Sequence, residues 1–262
     1  MANAALHIAR TGLDAQDTRM RVISNNLANV NTTGFKRDRA SFEAMSYQII
    51  TAQGAASTQE SRYATGLNLG TGVRIQGTAS IQTQGSLATT GNALDMALEG
   101  DGFFQVQMPG GQLGYTRAGN FTRSAEGLLV TTEGYQVMPG ITLPEGATSI
   151  TIGNDGTVSA TIPNQTEATA IGQIPIAMFA NPAGLMPAGD NFLTETAASG
   201  AAQLGVAGLD GRARVRQGML ESSNVNVVEE LVDMIETQRA YEVNSKMISA
   251  TDEMLKYVNQ NI

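Results

Sequence analysis

Two stretches at opposite ends of the chain repeat apolar residues at alternating steps of three and four. The first runs Leu6, Ala9, Leu13, Gln16, Met20, Ile23, Leu27, Val30. The second runs Val227, Leu231, Met234, Gln238, Tyr241, Ser245, Ile248 and on to Leu255. That spacing keeps one seam of an α-helix facing a partner. Each helix has a seam to bury, and the Gly-rich chain between them shows no such period, so the seams face either each other or other copies. Polar residues interrupt both seams (Gln16, Gln238, Ser245, Asp252), which lowers stability while fixing register and partner.

The boundaries of the helices are legible. The first is predicted over 3–31, with Asn3 as N-cap, Gly12 as its weakest interior point and Gly34 as the left-handed residue that closes it. Phe35 follows as an apolar contact past the cap. The second is predicted from Asn226, with Glu229 three residues on in a capping-box arrangement, to about 258. Charge divides unevenly between the ends. Residues 1–39 carry Arg10, Arg19, Arg21, Lys36, Arg37 and Arg39 against Asp14, Asp17 and Asp38, whereas acids dominate from Glu221 onward. Such ends attract each other, within or between molecules.

Between the helices the pattern is β. From 73 to about 219, short β-branched or aromatic runs alternate with turn formers such as Pro109-Gly110-Gly111 and Asn154-Asp155-Gly156, which predicts an antiparallel sandwich or barrel. Residues 180–212 read as loop. Ahead of this region, residues 40–50 suggest a short ordered piece, and 53–72 read as an extended connector with small residues at Gly54, Ala55, Ala56, Ser57 and Thr58.

Few residues offer chemistry. There is no cysteine, and His7 is the only histidine, so metal sites, disulfides and His-based triads lack their parts. Neither cofactor nor metal is expected. A net charge of -8 argues against a nucleic-acid partner. Asp95, Glu99 and Asp101 are spaced as paired carboxylates that suit a glycoside hydrolase, yet Asp and Gly at 95–102 equally make a turn feeding a buried strand. The Lys36–Arg39 run reads as a solvated face. His7, Arg10 and Thr11 break any signal-peptide pattern, and no apolar run reaches the length of a membrane span, which by ordinary signals predicts a cytoplasmic protein. Asn25, Asn26 and Asn29 crowd the flanks of the first seam, where a lone helix does better with Ala or Lys. They make sense as hydrogen-bonding groups toward neighbouring chains, and the residues by themselves lead to a self-associating structural protein.

Three blocks carry a resemblance. Ser24-Asn25-Asn26-Leu27-Ala28-Asn29-Val30-Asn31-Thr32-Thr33-Gly34-Phe35-Lys36-Arg37 resembles the N-terminal signature of the bacterial flagellar rod and hook axial proteins, with its signature turn at Gly34, Phe35 and Lys36. The C-terminal signature is similar to Ser223-Asn224-Val225-Asn226-Val227-Val228-Glu229-Glu230-Leu231-Val232 and to 238–246. Leu98-Glu99-Gly100-Asp101-Gly102-Phe103-Phe104-Gln105-Val106 resembles the internal β motif. Residues 42–73 look like a section carried by distal rod subunits and absent from the hook, although a proximal rod or hook subunit remains the alternative. More remote is the peptidoglycan-acting hydrolase.

The resemblance implies an α+β chain in three parts. Residues 1–35 and 222–262 form a discontinuous domain of paired terminal coiled-coil helices, 36–72 a rod-specific connecting segment, and 73–221 an inserted all-β antiparallel domain, barrel-like or sandwich-like. It implies a structural subunit of the flagellar basal body, not an enzyme, with no small-molecule substrate. The subunit polymerises with itself into a helical tube and meets proximal rod proteins, hook-side axial proteins and the ring bushings of the cell wall and outer membrane. It also implies export by the flagellar type III apparatus without a cleaved signal peptide, overriding the cytoplasmic expectation. The expected self-assembly seam is Leu6, Leu13, Met20, Ile23 and Leu27 with Asn25, Asn26 and Asn29, facing Leu231, Met234, Tyr241, Ile248 and Leu255.

Overall fold

The computed structural model describes residues 2–54, 64–162 and 168–260. They divide into two compact units: Met1–Leu27, Asp38–Ala79 and Val227–Ile262 in one, Ala28–Arg37 and Ser80–Asn226 in the other. The architecture is α+β, an N-terminal helix and a C-terminal helix with a β-rich middle.

The first unit holds both helices. α1 spans Ala2–Ala28 and ends three residues short of the expected boundary. Asn29 explains the early stop: its carbonyl accepts Thr32 N–H (3.1 Å) and its Oδ1 accepts the Thr32 hydroxyl (3.1 Å), a local turn that competes with another helical turn. α2 spans Val227–Gln260, with Glu229 and Glu230 in its first turn, where carboxylates favour the positive end of the helix dipole. Among the described residues, hydrogen bonds and close packing join the helices. Asn26 donates to Glu230 (3.2 Å), Arg19 to Asp233 (3.4 Å), and a Cβ on Gly12 would lie 3.1 Å from the Asn244 amide. Position falls along α1 as it rises along α2, so these contacts run in opposite directions.

Residues 40–50, open to either reading from sequence, are strand. Asp38–Ala44 pairs with Val73–Ser80, and Tyr47–Thr51 pairs antiparallel with Leu67–Gly70, opposing Tyr47 to Gly70 and Ile49 to Asn68. The expected connector is thus partly a hairpin; its stretch through Ala55, Ala56, Ser57 and Thr58 lies outside the described residues. Gly72 sits at φ +119°, with Thr11 Oγ1 of α1 only 2.3 Å from where a Cβ would be, so the arm passes α1 there at a distance only glycine permits.

The second unit is built on Phe103–Gln107, a strand buried on both faces except at its last residue. Phe104 and Val106 enter the main core with Met96, Leu98, Phe121, Leu129 and Ile176. Phe103 points the other way, to Tyr115, Phe179 and Leu185. Among the described residues the largest sheet runs Met186–Gly189, Phe192–Thr194, Leu113–Thr116, Phe103–Gln107, Gln136–Val137, Leu129–Val130, Thr122–Arg123. Its two end strands do not pair, so the expected barrel does not close. The expected loop at 180–212 contains Met186–Gly189, Phe192–Thr194 and Gln203–Gly205. Strands of three or four residues, broken by glycine and proline, are too short to display an alternating pattern. Among the described residues no helix is long and apolar enough to cross a membrane.

Candidate assembly site

The N-terminal block meets the side chain of Glu221, just ahead of the C-terminal block, and the internal motif meets Arg117, which pairs with it. Glu221 ends the strand Met219–Glu221, which pairs with Leu87–Thr89 and places its carboxylate in the interior at 0% exposure. Its Oε1 accepts Lys36 Nζ at 2.5 Å and Gly85 N–H at 2.9 Å, and its Oε2 accepts Arg117 Nη1 at 3.1 Å. Its backbone carbonyl accepts Gly34 N–H at 2.8 Å. Lys36 also donates to Thr83 O (2.8 Å); Arg117 donates to Gly100 O (2.7 Å) and lies over the Phe103 ring, 5.5 Å from its centroid. Every charge here is buried, which is tolerable only because each has a charged partner and further hydrogen bonds.

Gly34 takes φ +71° with backbone atoms of Arg117 and Ala118 only 2.7 Å from a notional Cβ, so the expected left-handed residue is also a close-approach residue. Asn224 ties the same region together: its Oδ1 accepts Arg37 N–H (2.7 Å), and its amide donates to Ile81 O (2.9 Å) and to Thr83 (2.9 and 3.1 Å). The solvated-face reading of Lys36 is therefore corrected, because the carboxylate that buries it lies 185 residues away. Burial, and Arg117 nearby, hold the Lys36 amine below its usual 10.5, partly offset by Glu221. The unfolded chain holds that proton more tightly, so the Lys36 contribution to stability rises with pH between its lowered folded value and 10.5.

A second junction sits in the helical unit. Asn26, 1% exposed, accepts Asp38 N–H (2.9 Å) and donates to Asp38 O (2.9 Å) as well as to Glu230, so its amide works within the chain. Ile23 is buried beside it. Leu6, Leu13, Met20, Leu27 and Asn29 are half-buried, as are Met234, Ile248 and Leu255, while Asn25, Leu231 and Tyr241 are exposed. Among the described residues of α2, Glu230 and Thr237 are buried. Its more covered positions mix polar residues (Glu230, Asp233, Thr237, Asn244) with apolar ones (Met234, Ala240, Ile248, Leu255). Around the helix from these positions, Val232, Ile235, Val243, Met247 and Met254 are all at least half exposed, again at steps of three and four through Arg239 and Ala250.

The carboxylates of Asp95 and Glu99 are occupied separately. Asp95 accepts the Thr90 hydroxyl (2.6 Å) and the Asn92 amide (2.9 Å), Glu99 pairs with Arg216 at 2.7 Å, and Asp101 offers its backbone carbonyl to Ala213 (2.8 Å). Asp95 is buried, and Glu99 and Asp101 are exposed.

Comparison with known proteins matches the same three blocks. The family described as "Flagella basal body rod protein" matches residues 6–36, "Flagellar hook protein FlgE/F/G D1 domain" matches 97–160, and "Flagellar basal body rod FlgEFG protein C-terminal" matches 216–261. The chain is 48% identical to the flagellar basal-body rod protein FlgG of Buchnera aphidicola over 98% of each chain. It is 47% identical to FlgG of Agrobacterium fabrum over 98% of this chain and 99% of the relative. Against the flagellar basal-body rod protein FlgF of Caulobacter vibrioides identity is 35%, over 93% of this chain and 92% of the relative. The higher identity and fuller coverage favour FlgG over FlgF. By this kinship along nearly its whole length, the chain belongs to the FlgG family of flagellar basal-body rod proteins, a structural subunit of the distal rod and not an enzyme.

Proposed function

We propose that this subunit polymerises into a helical tube in which the terminal helices pair as a coiled coil and line the inside, carrying torque from motor to hook. The observation that carries this reading is the outer stripe of α2. Five exposed apolar residues at helical spacing are too extended for scattered surface hydrophobes, and such a stripe calls for a partner. The charge contrast between the basic first and acidic last segments favours further copies as that partner. On this reading residues 1–35 and 222–262 are the polymerisation domain and 73–221 the inserted β domain. Proximal rod proteins lie below, hook-side axial proteins above and the ring bushings outside, and the chain reaches its place through the flagellar type III apparatus without a cleaved signal peptide.

Electron microscopy of basal bodies from a strain lacking the gene tests the assignment. The expected particles stop at a short proximal rod; particles with a full rod and hook overturn it. A second experiment addresses the arm at 36–72, which we assign to stiffening the tube by bridging neighbours. The hairpin Tyr47–Thr51 and Leu67–Gly70 leaves Tyr47, Ile49, Ile50, Leu67 and Leu69 exposed, and an isolated two-stranded hairpin is marginal in water. Removing residues 47–70 is expected to give a curved polymer, and a straight rod of normal length in micrographs removes the arm from that role.

A further inference from the structure

We propose that Glu221 is an electrostatic latch that lets the N-terminal passage at 28–37 dock onto the β unit only after the strand Met219–Glu221 is in place. Two cations and one carboxylate meet here out of water: Lys36 is 8% exposed, Arg117 4% and Glu221 0%. With Glu221 present, one carboxylate answers both cations through separate oxygens. With Glu221 absent, burying Lys36 beside Arg117 leaves two like charges in the interior with no carboxylate bonded to either and only the weaker field of Asp101 acting on Lys36, a state that buried groups avoid by staying in water. The same residue also supplies the acceptor for Gly34 N–H, so the turn and the lysine are captured together. The passage that follows α1 is thereby made to wait for a residue 185 positions beyond Lys36, and a chain without its last strand cannot close that turn.

The latch makes an asymmetric prediction that hydrogen bonding and packing by themselves do not. Removing the anion strands two cations; removing Lys36 leaves the Glu221–Arg117 pair neutral. Hydrogen exchange on purified full-length monomer reads this out, comparing a peptide over 28–37 with one over 103–107. Glu221→Gln, which keeps the shape but removes the charge and turns one of the two accepting oxygens into a donor NH2, is expected to speed exchange over 28–37 by at least about a hundredfold, with 103–107 still protected. Lys36→Met is expected to have a much smaller effect, and Lys36→Met in the Glu221→Gln background to recover part of the lost protection. Equal effects of the two single substitutions, no acceleration in Glu221→Gln, or equal acceleration at 28–37 and 103–107 each overturn the latch. Because the readout is taken on monomer, it is independent of whether the subunit builds a rod.

Discussion

Ile235→Glu, as the sole copy of the gene, is expected to abolish rod growth and swimming while leaving the β unit folded. Ile235 is 50% exposed in the single chain, so a charge there costs the monomer little. In a polymer that covers the outer stripe, the same position loses about 1.5–3 kcal/mol of apolar burial and forces a carboxylate out of water. The loss recurs at every subunit, so growth stops instead of slowing. Leu231→Glu, at 43% exposure on the expected seam, should behave the same way. Basal bodies in micrographs together with a soft-agar swim assay check both, and thermal unfolding of the purified β unit signal confirms that folding is intact. Normal swimming in Ile235→Glu means that the outer stripe of α2 faces solvent in the assembled state, and the assembly reading fails with it.

Phe104→Ala is expected to have the largest effect on the β unit itself. Phe104 is fully buried, meets Phe121 edge-to-face at 5.1 Å between ring centroids and packs in the main core with Met96, Leu98 and Ile176. Truncating a buried phenylalanine costs about 3–5 kcal/mol, which for a unit of this size lowers the melting temperature by roughly 10 °C or more. Scanning calorimetry measures it. A shift of less than about 3 °C, near 1 kcal/mol, would place Phe104 outside the core and undermine the reading of 103–107 as the central strand.

These two variants touch what was easiest and hardest to read in the sequence. The Phe103-Phe104-Gln105-Val106 run was legible as a buried strand because apolar residues on both parities leave no solvent side. The helices were legible because their periodicity extends over seven or more turns. Which face of α2 meets α1 was legible only in part: of the seam drawn through Leu231, Met234, Tyr241, Ile248 and Leu255, Leu231 and Tyr241 are exposed and the other three half-buried, while Glu230 and Asn244 lie toward α1. Apolar periodicity marks the stripe that most wants burial, and in a chain built to associate that stripe need not face its own other helix. Asn26 illustrates the same point. Read as a group reaching toward neighbouring chains, it instead caps the strand at Asp38 and holds Glu230.

The charged junction was not legible. Glu221 was one acid among several at the end of the chain, Arg117 was one base in a turn-rich region, and Lys36 opened a run that looked solvated. A buried ion pair leaves no periodic trace, because its partners are chosen by proximity in space and not by spacing along the chain. By itself the sequence determined the terminal helices, the β-rich middle and the family, since local propensity, period and ordered motifs are properties of neighbouring residues. Only the tertiary structure decided that Lys36, Arg117 and Glu221 meet, that α2 turns Glu230, Asp233 and Asn244 toward α1, and that the sheet stays open. Each of those depends on desolvation and register between segments more than a hundred residues apart, or on strands too short to announce themselves.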